Sequence, residues 1–359
     1  MILIIIIIII IIFLIIREKE YFTHTCSYRG YRGSVRGSER GSVRGSVRGI
    51  YYINDYIPIP EIKEDLNCIQ SYRIAGSIHK NIRKDIYPML KPGLDIMNLS
   101  NFINDKIRYY TKNIGYNGGI GFPPILSMSN IIAHYTPYKS KILEWKDNLK
   151  IDFGVHVNGW IVDSAFTIHF NPELDILSIA TKDAIDNALK IVGVDTPIND
   201  VSSIINEIVE SYEINYKGSV HQLKVINGLS GHNIRQYTIH GGISVPNKPS
   251  NNTLRFRPGI YAIEPFVCIL DPYYDTHQAH NYQIKSNVGS KCPLYKYFNN
   301  LIFSDYHLKY YNVNINNFTN MVNIHPSLHG QTNDMSCQYE HTVYLDENIK
   351  EIISQSNDY

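Results

Sequence analysis

Asp152 and Asp163 are the residues whose spacing first suggests chemistry. They flank Asn158-Gly159, a dipeptide that favours a two-residue β-hairpin because both positions tolerate positive φ, and β-branched and aromatic residues run along both arms. With those two residues as the turn, Asp152 faces Ala165 and Gly154 faces Asp163. Side chains alternate along a strand, so Asp152, Gly154, Asp163 and Ala165 share one face while Phe153, Val155, Val157, Trp160 and Val162 share the other. The aspartates are then diagonal neighbours, roughly 7–8 Å apart at the backbone. Two carboxylates so placed repel unless a cation lies between them, and a pair of divalent ions about 3.5–4 Å apart suits that gap. A solvated hairpin face with two ordinary aspartates is the other reading the hairpin alone allows.

Four more donors lie elsewhere in the chain. His134 ends the apolar segment Ile131-Ile132-Ala133, and His232 follows the turn-like Asn227-Gly228-Leu229-Ser230. Glu264 shares an expected strand face with Ile260 and Ala262, and Glu340 holds a similar place in Gln338-Tyr339-Glu340-His341-Thr342-Val343. A glutamate inside an apolar strand is costly to bury alone; an arginine is the ordinary partner and a metal ion the alternative. Taken singly, each of these residues is more often structural than a ligand. Taken together, a set of carboxylate and imidazole donors without thiolates suits Mn, Fe, Co or Zn.

The elements that would position these groups can be read from periodicity. Apolar residues at Ile62, Leu66, Ile69, Ile74, Ile78, Ile82 and Ile86 predict a helix over 61–90, entered at Pro58 and Pro60 and stopped by Lys91-Pro92-Gly93. Further helices are expected over 99–114, from Asn171-Pro172 to about Val192, and over 195–212. Strands rich in Val, Ile and Tyr are expected near 219–226, 237–245, 259–270 and 336–345. Consecutive helices followed by antiparallel strands indicate α+β, without the βαβ rhythm of a parallel sheet.

Composition narrows the class further. A chain of 359 residues with a formal net charge of +1 is long enough for a large core and gives no reason to expect nucleic-acid binding by the whole. Its five scattered cysteines, without CxxC spacing, suggest neither a disulfide framework nor a zinc finger, and point to reduced thiols in a cytosol. Residues 2–16 are unbroken apolar sequence, shorter than the roughly 17–25 residues of a membrane helix. They read as a short anchor, a targeting segment, or low-complexity sequence ahead of the true start. Ser27 to Gly49 is an Arg-Gly-Ser repeat with one opposing Glu39, so residues 17–57 are expected to form a disordered basic arm. Such an arm could touch RNA or a ribosome surface through phosphates, or serve as a passive linker.

The segments IIAHYTP, KIDFGVHVNGWIVDSAF, NGLSGHNIRQYTIHGG, YAIEPF and QYEHTVYL, in this order over roughly residues 65–359, resemble type 2 methionine aminopeptidases. The resemblance implies a pita-bread fold, in which a curved antiparallel sheet with paired helices surrounds a dinuclear metal centre. It implies metal ligation by Asp152, Asp163, His232, Glu264 and Glu340, with Asp163 and Glu340 bridging two divalent ions (Co, Mn, Fe or Zn). Glu264 would also serve as general base. His134 matches the catalytic histidine that fumagillin-type inhibitors alkylate, His240 a second active-site histidine, and Phe122 and Ile239 walls of the methionine pocket. Implied substrates are nascent polypeptide N-termini with a small second residue, acted on in the cytoplasm by a monomer. The long gap between Glu264 and Glu340 implies a helical insert, about 268–335, within a catalytic domain spanning 58–359. Cys268 to Asn320 aligns poorly, and His280 stands as candidate for the pocket histidine of that region. Ile125-Leu126 and Arg235 depart from the family pattern. An Xaa-Pro peptidase, or a non-catalytic pita-bread protein that binds RNA or ribosomes, are the competing readings.

Overall fold

The computed structural model describes Ile57, Ile59 and residues 66–359. The chain divides into Met1–Ile50 and Tyr51–Tyr359, so the apolar run, the Arg-Gly-Ser repeat and the Pro58 and Pro60 turn all lie outside the described residues.

The first described helix, α1 (Cys68–Ile86), begins where Asn67 and Gln70 form a reciprocal capping box. Ile74, Ile78, Ile82 and Ile86 recur on one buried face. The α-helix stops at Ile86, earlier than the expected Leu90, because Pro88 cannot donate the next hydrogen bond and the chain tightens into a 3-10 turn over Tyr87–Met89. α2 (Ile96–Thr111) starts three residues earlier than expected, since the Asp95 side chain accepts from Met97 N–H at 2.9 Å and caps it there.

β1 (Gly118–Met128), β3 (Asn148–Val157) and β4 (Trp160–His169) form one antiparallel sheet; β2 (Ile131–Ala133) lies between them in the chain and joins another. The β3–β4 register is the expected one, pairing Asp152 with Ala165, Gly154 with Asp163 and Val157 with Trp160. Asn158 and Gly159 have φ of 51° and 77°, as a type I′ turn requires. In β1 the ladder slips around Pro123-Pro124, which lack N–H donors. A helix pair follows, α3 (Asp175–Ile191) and α4 (Ile198–Glu210), close to the expected spans.

The remaining strands are β5 (Glu213–Tyr216), β6 (Ser219–Gln222), β7 (Lys224–Val225), β8 (Ser230–Ile234), β9 (Ser244–Pro246), β10 (Gly259–Ile263) and β11 (Phe266–Cys268). β12 (Tyr274–Ile284) and β14 (Val322–Gly330) then make a long ribbon. Between them lie α5 (Tyr295–Phe298), β13 (Phe303–Ser304) and α6 (Asp305–Tyr310). β15 (Ser336–Gln338), β16 (His341–Asp346) and β17 (Ile349–Ile352) close the chain. β8, β10, β16 and their neighbours form a five-stranded antiparallel sheet, continued by β7, β11 and β15. The architecture is α+β; residues 268–335, expected as a helical insert, are mostly this ribbon, with two short helices and a small core of Tyr282, Phe298, Phe303 and Leu308.

Two strand expectations change. The one at 237–245 shrinks to β9, because residues 235–243 fold back as a loop held by Arg235–Thr238 pairing and by the Asn233 side chain. Glu264 and Glu340 lie just outside regular strands, in matching gaps between β10 and β11 and between β15 and β16. Pro265 removes a ladder donor there.

Arg83 is fully buried and grips Asp358 through two bonds, Nε to Oδ2 at 2.6 Å and Nη2 to Oδ1 at 2.8 Å. Burial would raise the Asp358 carboxyl, but Arg83 outweighs it and the net shift is downward. Asp358→Ala would leave an uncompensated buried guanidinium, with an expected loss of about 3–5 kcal/mol in urea unfolding. In the parent chain the contribution of this carboxylate is complete above the unfolded carboxylate range, about 3.9, and disappears as pH falls through its lower folded value. Stability of the Asp358→Ala chain should therefore show a flatter acid limb.

Candidate metal centre

Asp152 and Asp163 leave the hairpin on one face and are buried, at 7% and 4% exposure. A Cβ on Gly154, between them on that face, would stand 2.4 Å from the Phe122 ring. Gly154 therefore makes room for Phe122.

The third and fourth carboxyls come from the interrupted sheet. β10 with β16 and β11 with β15 keep one register across the gap, from Ile263 opposite His341 to Phe266 opposite Gln338, which sets Glu264 opposite Glu340. Side chains replace the missing ladder bonds. Asn247 accepts from Phe266 N–H and donates to the Glu264 carbonyl. On the other side Glu340 N–H donates to the Ala165 carbonyl, and Ser164 Oγ donates to the Glu340 carbonyl at 2.7 Å. The Thr342 hydroxyl accepts from Asp163 N–H and donates to the Asp163 carbonyl. The strand bearing Asp163 is thus bound edge to edge with the segment bearing Glu340.

His232 pairs opposite Ala262 in β8, and its Nε2 lies 3.5 Å from Asp163 Oδ2 and 3.3 Å from Glu264 Oε1. Donor atoms of Asp163, His232 and Glu340 lie within 4.8 Å of one another. Asp152 adjoins the group through Gln338, whose Nε2 donates to Glu340 Oε2 at 3.2 Å and reaches Asp152 Oδ2 at 3.5 Å.

Such a set is electrostatically incomplete. Asp152 Oδ1, Asp163 Oδ1, Glu340 Oε1 and His232 Nδ1 are buried without a hydrogen-bond partner. Burial pushes Asp152, Glu264 and Glu340 well above the carboxylate range, with mutual repulsion adding to it, and pushes Asp163 up to about 7. Burial, with His240 nearby, pulls the His232 imidazole down to about 3, leaving it neutral and able to ligate. Four converging carboxyls and a neutral imidazole, with acceptor atoms unfilled, are the donor set a divalent cation satisfies.

His134 follows β2 with a φ of 63°, a left-handed conformation unusual for a histidine, and its carbonyl accepts from Asn281 Nδ2. Burial, then His240 and His325, lower it to about 4, so the imidazole is neutral. The His240 ring stands edge-on to His232 at 4.5 Å and opens to solvent. Ile239 and Phe122 are both buried, at 4% exposure.

His280 lies elsewhere. It pairs with Asp305 at 2.7 Å and packs on Tyr138. His325, on β14 beside β2, is the histidine that acts electrostatically on both His134 and His240. Gln338 and His325 escaped the sequence reading. Gln338 could have been found from its place two residues before Glu340, on the same strand face.

Residues 70–347 match the model of metallopeptidase family M24. The chain is 37% identical over 326 residues to methionine aminopeptidase 2-2 of Emericella nidulans, covering 82% of this chain and 71% of that one. Against methionine aminopeptidase 2 of Komagataella phaffii the identity is 34% over 322 residues, covering 83% and 72%. Among solved structures, methionine aminopeptidase from Thermotoga maritima superposes with a TM-score of 0.59 at 17% identity, covering 82% of this chain and 99% of that one. A thermophilic Arx1 gives 0.67 at 14% identity, covering 83% and 94%; at such identities these two share the fold.

Asp163→Asn should abolish tight divalent-metal binding, and Gln338→Leu should weaken it about 10–100-fold by releasing two carboxylates from their common donor. Competition against a chromogenic chelator measures both. Wild-type affinity in Gln338→Leu would reduce the glutamine to packing.

Proposed function

We infer that this chain, which belongs to metallopeptidase family M24 and within it to the type 2 methionine aminopeptidases, removes the N-terminal methionine from proteins and peptides. The observation that carries the reading is the buried cluster of Asp152, Asp163, His232, Glu264 and Glu340 with its unfilled oxygens. The fold is the pita-bread fold of these enzymes.

Divalent metal is part of the family's chemistry, and we propose two ions held by these five residues, Asp163 and Glu340 serving both. When bound, they would polarise the scissile carbonyl and acidify water. Glu264, whose carboxyl burial makes less acidic, would accept the proton of the attacking water and return it to the leaving amine. Neutral His134 would donate a hydrogen bond to the developing tetrahedral oxygen, with His240 beside it. Phe122 and Ile239 would wall the methionine side chain. Substrates would be nascent chains with a small second residue. His134 would be the residue open to alkylation by fumagillin-type inhibitors.

We place the enzyme in the cytoplasm as a monomer. Among the described residues no helix is long and apolar enough to cross a membrane. The Arg-Gly-Ser repeat would contact anionic surfaces such as RNA.

The full chain, supplied with Mn or Co, should release methionine from Met-Ala-Ser and leave Ala-Pro intact. Absence of release from folded protein with every divalent metal tried would overturn the enzymatic reading. Glu264→Gln should lower kcat by about 100-fold or more with substrate affinity retained.

A further inference from the structure

A cavity of about 560 Å³ lies between the end of α2, the start of β1 and the segment 297–311 within the ribbon. That volume falls in the range of small-molecule sites. None of the five acidic and imidazole ligands lines it, nor do His134, His240, Phe122 or Ile239. In the β1–β3 register Gly119, on the cavity wall, pairs with His156, and Phe122 pairs with Gly154.

Its polar groups are mostly donors. The Arg108 guanidinium lies over the Tyr310 ring at 3.7 Å, and its Nε is buried without a hydrogen-bond partner. Lys112 reaches over the ring of Tyr109 at 4.8 Å. His156 Nδ1 accepts from the Gly159 N–H, and His307 Nδ1 accepts from the Ser304 N–H. A backbone N–H can only donate, so in both rings the proton sits on Nε2. His156 Nε2 points towards Gly119 on the cavity wall. The single carboxylate in the lining, Asp105, already accepts from the Tyr306 hydroxyl at 2.8 Å. The remaining walls are flat and apolar, with Tyr297 stacked on Tyr311 at 4.5 Å and Ile120 and Leu301 beside them.

We propose that this cavity binds a small planar organic anion, a flat ring bearing one carboxylate or phosphate group. The ring would lie among the aromatic side chains and the anionic head would meet Arg108 and Lys112. The Arg108 guanidinium and the exposed Lys112 ammonium beside imidazole donors leave a neutral ligand with unmatched donors, and a cation would meet repulsion. The assignment does not depend on peptidase activity.

Calorimetric titration of the full chain with salicylate and with AMP tests it, with benzyl alcohol and adenosine as uncharged counterparts. The expected result is saturable one-to-one binding of at least one anion, at least tenfold tighter than its counterpart. Salicylate would mark a carboxylate site and AMP a phosphate site. Arg108→Met and Lys112→Met should each weaken that binding at least tenfold while leaving Met-Ala-Ser hydrolysis unchanged. Lys112 is exposed, so its variant keeps the test independent of folding. Three results would overturn the proposal: no saturable anion binding, equal binding of the uncharged counterparts, or wild-type affinity in Lys112→Met. Displacement of the anion by Met-Ala-Ser would also do so, by making the cavity an extension of the substrate cleft.

Discussion

Four carboxyl groups held in one water-poor space repel one another, and the structure around them is arranged to keep them there. Asp152 and Asp163 come from one sheet, and Glu264 and Glu340 from the gaps between strands of two others, so the repulsion acts across the join between them. Regular ladder bonds are missing at that join because the glutamates and Pro265 interrupt the strands. Ser164, Thr167 and Thr342 hydroxyls and the Asn247 amide take their place. Each such bond contributes only about 1 kcal/mol net, but leaving the same buried groups unmade would cost more. The polar side chains here hold shape, and the acidic ones carry the chemistry.

Behind this join the last residues of the chain act as a plug. Tyr359 is buried, its hydroxyl 2.6 Å from Ser164 Oγ, the same oxygen that bonds the Glu340 carbonyl. His341 stacks on the Tyr359 ring at 4.9 Å, and the Arg83 guanidinium lies 4.5 Å from that ring while clasping Asp358. On the hairpin side, buried Lys150 donates to the carbonyls of Ser129 and Ser336, tying β3 to the strand that leads into Glu340. Burial brings that amine down to about 7. Both devices fix the backbone of a ligand-bearing strand, Tyr359 from the face opposite Asp163 and Lys150 from the face it shares with Asp152.

The insert serves the site more loosely. Its ribbon attaches through β14 to β2, the strand that ends at His134, and Asn281 on β12 bonds the His134 carbonyl. A left-handed histidine backbone is thereby supported by a segment distant in sequence. The same ribbon brings His325 towards His134 and His240, a grouping of neutral imidazoles beside a cluster of acids. The surroundings of His134 thus combine residues from the sheet that bears it and from the ribbon.

Several of these relations were open to reading from the chain alone. The hairpin pairing followed from Asn158-Gly159, because a two-residue turn leaves no freedom of register once the alternation of apolar residues is set. The α+β class and the helix pair followed from periodicity, and the candidate site residues from the ordered motifs that carry the family resemblance. Helix ends at Ile86 and Ile96 were legible in Pro88 and Asp95, local signals that the apolar repeat outweighed. Other features depend on contacts between distant segments. The facing of Glu264 and Glu340 arises because two strand pairs share a register across a gap, which neither segment encodes by itself. Gly154 belongs to Phe122, a residue of another strand, and His325 rather than His280 meets the other histidines because β14 pairs with β2. Residue types and local spacing determined which groups could do the chemistry. Only tertiary pairing decided how close they stand and which neighbours they meet, because burial and repulsion act through space and not along the chain.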